Sequence, residues 1–220
     1  VLIGGGHAHA LVLRRWGMKP LPGVRLTLVN PDPTAPYTGM LPGHVAGHYP
    51  REALEIDLVR LARFAGARLV LGRATGLDRA AGLVQVEDRP GIRYDVASLD
   101  VGITSEMPEL PGFAAHGVAA KPLDRFATRW AAFCEGVQAG DVPLLAVIGA
   151  GVAGVELALA MQHRLARLGA APRIALIDAA EPLAGIAGNT RAILFERLRR
   201  AGVRLVSDAP VARVDAGAVV

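Results

Sequence analysis

Lysine is nearly absent from this chain. Lys19 and Lys121 are the only two among 24 basic residues, so almost all positive charge is arginine. The arginines are scattered, with short pairs at Arg14–Arg15 and Arg199–Arg200. No run resembles a nucleic-acid tail, and the net charge of +4 reads as solvated helix faces. Cysteine is scarcer still. Cys134 stands alone, which excludes an intrachain disulfide of any kind, structural or redox-active. It lies in ATRWAAFCEGV, where apolar residues recur at helical spacing, and reads as a small core residue. No apolar run reaches the roughly 18 residues of a membrane-spanning helix. The opening VLIGGG lacks the basic and hydrophobic regions of a signal peptide and looks like a strand entered midway. Metal ligands are also wanting. His7 and His9 form one pair, and His44 and His48 sit in a separate loop with no cysteine nearby. What remains is an apolar globular chain, 52% hydrophobic and 20% charged, with room in 220 residues for one large or two modest domains.

The most informative stretch is Leu144–Met161, LLAVIGAGVAGVELALAM. An apolar run, Leu144–Ile148, reads as a buried parallel strand. Gly149-x-Gly151-x-x-Gly154 reads as a tight turn, and ELALAMQHRLARLG as a long helix. Each glycine has its own task. Gly149 allows the sharp turn, Gly151 lets a pyrophosphate approach the backbone, and Gly154 lets the helix sit close to the strand. The phosphates would rest on free N–H groups of the first helical turn. A second apolar run, Arg173–Ile177, ends at Asp178. An acid there can accept hydrogen bonds from a ribose 2′-hydroxyl and would repel a 2′-phosphate, so NADH is expected over NADPH.

A variant of the same pattern opens the chain. Val1–Ile3 leads into Gly4-Gly5-Gly6-His7-Ala8-His9, with His9 where the third glycine would be. An imidazole there should change the strand–helix spacing. Either histidine could contact a phosphate or a flavin, or simply pack or face water. The strand Val24–Val29 ends at Asn30, which can bond a ribose hydroxyl with less charge assistance than an acid. The loop Pro31–Tyr49 is long, apolar and rich in proline and glycine. Its place past a strand's carboxyl end suits a ligand, with Thr38, Gly39, Met40 and Leu41 as candidates to touch a flat apolar ring.

A helix is expected over Glu52–Phe64 and a third parallel strand over Ala67–Leu71. Thr75–Asp78, Leu83–Glu87 and Arg93–Leu99 read as a small antiparallel meander. Tyr94–Gly102 returns the chain to the first sheet, and Gly102 would let backbone pass near a cofactor. Pro108–Pro122 is a linker by composition, followed by a helix, Leu123–Val137. After Asp178 come a helix, Asn189–Ala201, a strand, Val203–Val206, and a hairpin of Val211–Val214 with Ala218–Val220. Both termini fall inside expected strands, so the chain is expected to be a piece of a longer protein. The fold class is α/β: tandem Rossmann-like dinucleotide-binding units in three layers, with the antiparallel meander in the first. The expected domains are an FAD-binding part over 1–107, a linker and connecting helix over 108–141, and an NAD(P)H-binding part over 142–220.

Two such turns ask for two dinucleotides, and the loop after Asn30 makes FAD the better fit to the first. GGGHAH, PYTGMLPG, YDVASLDVG and IGAGVAGVELALAMQHRL together resemble one branch of the pyridine nucleotide-disulfide oxidoreductases, the flavoprotein module fused ahead of selenide, water dikinase. In the broader family the chain is similar to the type II NADH dehydrogenase-like members. The resemblance implies that Gly4 and Gly6 cradle the FAD pyrophosphate, that residues after Tyr37 line the isoalloxazine, and that Gly149, Gly151 and Gly154 cradle NAD(P)H. It implies that Glu156 reaches toward the nicotinamide. The implied activity is hydride transfer from NADH to FAD and on to a small-molecule or quinone-like acceptor. The implied setting is the cytoplasm or the inner face of a membrane, with peripheral contact through a C-terminal part. The alternative is a non-catalytic nucleotide-binding module beside a selenophosphate-making domain. Departures are His9 for glycine, Asn30 for an acid, and Asp100-Val101-Gly102 where Ala-Thr-Gly is usual. A single-cofactor dehydrogenase finds no Tyr-x-x-x-Lys or His/Asp constellation.

Overall fold

The computed structural model describes residues 1–102 and 109–220. The chain divides into two compact units, Val1–Thr38 with Glu52–Ile103, and Gly39–Arg51 with Thr104–Val220.

In the first unit, β1 (Leu2–Ile3) is followed by α1 (His7–Met18), β2 (Thr27–Asn30) and β3 (Thr34–Pro36). The chain then makes a 3-10 turn over Thr38–Met40, and α2 (Leu41–Val45) belongs to the second unit. The first unit resumes with β4 (Glu55–Asp57), α3 (Leu58–Ala65), β5 (Arg68–Leu71), β6 (Ala74–Asp78), β7 (Leu83–Val86), β8 (Arg89–Arg93) and β9 (Ser98–Leu99). Four strands form a parallel sheet in the order β5-β2-β1-β9. Successive strand residues face opposite sides, and the sequence uses both. Leu2 and Leu28, paired across the ladder, pack with Leu13 of α1 and Leu58 of α3. Ile3, Val29 and Val70 point the other way, onto Val84 and Val86 of the β6-β7-β8 meander. The unit is therefore three layers: helices, parallel sheet, antiparallel sheet.

Several boundaries differ from expectation. The helix expected from Glu52 starts only at Leu58. Residues 51–54 form a 3-10 turn, and β4 pairs antiparallel with β3 inside the loop expected to be irregular. Asp57 sets the start of α3, its carboxylate accepting from Arg60 N–H at 2.9 Å as a helix N-cap does. The third meander strand comes earlier than Arg93–Leu99. Asp88 takes a left-handed turn (φ 55°), which an aspartate tolerates, so β8 begins at Arg89. Ser98–Leu99 instead joins the parallel sheet beside β1.

The second unit continues with α4 (Phe113–His116), α5 (Leu123–Gln138), β10 (Leu144–Ile148), α6 (Val152–Arg167), β11 (Arg173–Ile177), α7 (Gly188–Arg200), β12 (Arg204–Val206), β13 (Val214–Asp215) and β14 (Ala218–Val219). Strands β10-β11-β12 form a parallel sheet, and β13 with β14 a hairpin. The stretch read as a linker carries α4 against β13, with Val214 N–H donating to the Pro111 carbonyl at 2.8 Å. Helix α2 packs on α5 and α6, and Trp130 on α5 donates its indole N–H to the Val45 carbonyl at 3.1 Å. One expectation fails. Leu144–Ile148 was expected to be buried, but β10 is a sheet edge, and Leu144 and Ile148 are 56% and 42% exposed.

Cys134 lies buried on α5, as its helical spacing suggested. Burial pushes its thiol above the ordinary range, and a hydrogen bond from Arg164 offsets this only in part. It is a packing residue held as the thiol. If Asp57 sets the start of α3, Asp57→Ala should lower unfolding stability by about 1 kcal/mol in urea titrations, and Asp57→Asn by much less.

Candidate functional site

The two glycine turns share one backbone. Gly4 and Gly149 both take positive φ, at 88° and 100°. Their N–H groups donate to the last strand-side carbonyls, Val29 at 2.8 Å and Ile177 at 2.7 Å. Gly6 and Gly151 then serve as N-caps with nearly the same torsions, φ −65° and ψ −179° against φ −69° and ψ −178°. Both N-caps are glycine and offer no side-chain cap to the first N–H groups of α1 and α6.

The residue ending each second strand reaches into the turn. Asn30 Oδ1 accepts from Gly5 N–H at 2.9 Å, and its amide donates to the Asp32 and Thr34 carbonyls at 2.7 and 3.3 Å. Asp178 Oδ2 accepts from Ala150 N–H at 2.6 Å, and Oδ1 from Ala180 N–H at 2.9 Å. Both residues therefore hold the turn's middle residue. Asn30 is buried with both amide hydrogens committed to backbone. Asp178 is half-buried and keeps lone pairs on both oxygens.

At the third position the turns part. A methyl group built at Gly154 would lie 1.8 Å from the Gly149 carbonyl oxygen, so only glycine fits. In the first turn His9 stands there, and its Nδ1 lies 2.7 Å from the matching Gly4 carbonyl oxygen. A carbonyl only accepts, so Nδ1 carries a proton, and Nε2 is hydrogen-bonded to the Ser98 hydroxyl at 2.9 Å. His9 is 2% exposed with both nitrogens engaged. The expected cofactor contact by His9 is thus replaced by a structural tie between turn and β9.

The second position differs too. Among the described residues, nothing lies within 4 Å of a methyl built at Gly151. One built at Gly6 would meet the Asp100 carboxylate, with Oδ1 at 2.3 Å. Asp100 Oδ2 accepts from His9 N–H at 3.0 Å, and the Asp100 backbone carbonyl accepts from Gly6 N–H at 3.2 Å. The carboxylate sits at the start of α1, where a negative charge is favoured.

The remaining candidates scatter. His7, the first residue of α1, is exposed and meets the Tyr37 ring edge-on at 4.5 Å. Thr38 and Gly39 are exposed and Met40 half-buried, whereas Leu41 is buried in the core and unavailable to a ligand ring. Gly102 is exposed with φ 71°. Helix α6 begins at Val152, which puts Glu156 beyond its first turn. Glu156 is exposed and does not cap its own helix. No cluster of three or more potential metal ligands occurs among the described residues, nor a helix long and apolar enough to cross a membrane.

The sequence model of the pyridine nucleotide-disulphide oxidoreductases matches residues 1–220. The chain belongs to that family. It is 25% identical over 225 residues to the NADH dehydrogenase-like protein YutJ of Bacillus subtilis (strain 168), covering all of this chain and 59% of that protein. Its fold is similar to the sulfide:quinone oxidoreductase of Aquifex aeolicus (TM-score 0.79, 17% identity), over 97% of this chain and 52% of that one. It is similar also to the water-forming NADH oxidase of Lactobacillus brevis (TM-score 0.72, 18% identity), over 99% of this chain and 48% of that one. The chain thus spans roughly half to three-fifths of the relatives it matches.

The family's two dinucleotides fit the turns unequally. The second turn has an open Gly151 face, N–H groups with no side-chain cap and a strand-end acid, all suited to a pyrophosphate and ribose. The first has the same backbone, but the Asp100 side chain covers Gly6. Asp100 was visible in the sequence only as a departure from Ala-Thr-Gly; its reach into the turn was not.

Substitutions should separate packing from binding. Gly154→Ala forces backbone apart and should destabilise the fold by about 1–3 kcal/mol in urea titrations. Gly151→Ala meets no atom and has an ordinary φ, so it should melt like the parent yet lose NADH affinity on calorimetric titration.

Proposed function

We propose that this chain is the dinucleotide-binding part of an FAD-dependent oxidoreductase that takes a hydride from NADH and delivers electrons to a small-molecule or quinone-like acceptor. The observation that carries this reading is the pair of backbone-matched glycine turns within one chain of this family. When bound, nicotinamide and flavin supply the redox chemistry, and the protein supplies binding and alignment. Three features of the second unit serve that end. The free N–H groups at the start of α6 hold pyrophosphate. Asp178, fixed by Ala150 and Ala180, favours a 2′-hydroxyl and repels a 2′-phosphate. Glu156, uncommitted on the exposed face of α6, is available to accept from the carboxamide N–H₂ of the nicotinamide. Cys134 takes no part, since it is single, buried and held as the thiol.

A second reading draws on Asp100. Because its carboxylate fills the first turn, the chain could act as a non-catalytic nucleotide-binding module beside a selenide, water dikinase domain. The absorption spectrum of the full-length protein separates the two. Under the first reading an oxidised-flavin band is present and bleaches with NADH in the absence of oxygen; a colourless protein that binds NADH would support the second.

Two further outcomes are expected. NADH should bind more tightly than NADPH, and Asp178→Ala should narrow the gap while also lowering thermal stability through the lost Ala150 contact. Tighter binding of NADPH by the parent protein would end the assignment of Asp178. Glu156→Ala should slow flavin reduction at saturating NADH in stopped-flow traces with little change in melting temperature, and Glu156→Gln should be mild. An unchanged rate in the alanine variant would remove Glu156 from the site.

A further inference from the structure

We propose that Asp100 is a resident competitor of the first dinucleotide turn: its carboxylate holds the anion position over Gly6 and must move away before a cofactor pyrophosphate can bind there. The inference rests on the flavin reading of that turn.

The second turn is an internal control. Gly6 and Gly151 have the same torsions and cap helices of 12 and 16 residues. A strand-end side chain holds the middle N–H of each. The difference lies above the second glycine. Over Gly151 no atom of the described residues lies within 4 Å; over Gly6 the three carboxylate atoms of Asp100 lie 2.3, 2.4 and 2.5 Å from where a methyl would stand. That is the side from which a pyrophosphate approaches a glycine turn. The carboxylate takes the acceptor role a phosphate oxygen would take, receiving His9 N–H at 3.0 Å. Two negative groups cannot share that place. They would collide and, short of collision, repel.

The neighbouring bonds let Asp100 move without unfolding the turn. Its backbone carbonyl, not its side chain, takes Gly6 N–H, and its own N–H donates to the Ile3 carbonyl at 2.8 Å. His9 keeps the β9 side in register through Ser98 whichever way the carboxylate points. The side chain can therefore rotate out while β1, β9 and the turn stay paired. Gly102, two residues on, has φ 71°, a backbone conformation suited to glycine. The consequence is an affinity tax on the first turn that the second does not carry.

The test compares full-length parent protein, Asp100→Asn and Asp100→Ala. FAD affinity is followed by flavin fluorescence, and ADP affinity by calorimetry with the second turn saturated by NADH. The asparagine variant keeps an acceptor for His9 N–H and serves if the alanine variant melts early. Both should bind FAD and ADP roughly tenfold tighter than the parent, as expected for removing one like charge from a binding site. In the parent, saturating FAD should also shift the His9 amide resonance, because its acceptor changes. Folded variants that bind no tighter, or an unmoved His9 amide in FAD-loaded parent protein, would overturn the proposal. ADP binding that tightens in the variants while FAD binds to none would keep Asp100 as competitor and overturn the flavin reading. Failure of all three proteins to bind either probe at the first turn would overturn both.

Discussion

A strand that feeds a helix through a three-residue turn leaves backbone N–H groups with no partner of their own, and both units of this chain are arranged around that deficit. The inward member is satisfied from below. Asn30 and Asp178 end the second strands and take the N–H of Gly5 and Ala150. The outward members need an acceptor from above, because buried or half-buried amides without one are costly. Among the described residues no buried side-chain polar atom lacks a partner, so this accounting closes for the side chains the fold encloses. Sheet order, helix placement and glycine positions follow from presenting those amides at one end of each sheet.

Two solutions to the same crowding appear at the third position of the motif. Where α6 presses on the turn, the Gly149 carbonyl comes so close that no side chain fits at residue 154. Where α1 meets its turn, His9 turns that carbonyl into a hydrogen-bond acceptor and uses its other nitrogen to tie in Ser98. The imidazole thus replaces a packing contact by two polar ones, adding a side-chain tie between the turn and β9 to the backbone pairing of β1 with β9. Its departure from the motif reflects structural work rather than ligand contact.

Much of this was legible in the sequence. Apolar runs ending at Asn30 and Asp178, and glycines spaced for a strand–turn–helix, are local signals, and the strands and helices stand close to where they placed them. The alternation Leu2/Ile3 and Leu28/Val29 even foretells which layer each residue meets. The failures share a cause: partners distant in sequence. Nothing within 51–57 announces pairing with 34–36, which replaced a helical turn by β4. Nothing near His9 names Ser98, 89 residues away, and nothing near Gly6 names Asp100. The apolar run at β10 reads as buried because composition reports hydrophobicity, not which side of a strand has a neighbour. Leu41 misled for the same reason, since an apolar residue in a loop suits a ligand and a core equally well.

The distribution of charge between the turns gives the asymmetry its physical sense. Each turn carries one carboxylate near a helix N-terminus, where the partial positive charge welcomes it. In the second unit that carboxylate is Asp178, placed below the turn on Ala150 N–H, and the upper face stays open. In the first unit the lower position is filled by the neutral Asn30, and the carboxylate is Asp100, placed above. An anion below secures the turn and leaves the upper amides for an incoming phosphate. An anion above takes one of those amides, His9 N–H, itself and sets the cost of replacing it. A neutral Asn30 is consistent with that arrangement, since an acid there would place two carboxylates on a single turn. The two units thus share a backbone and a charge count but not a position for the charge, and that position decides which turn is ready to receive a dinucleotide.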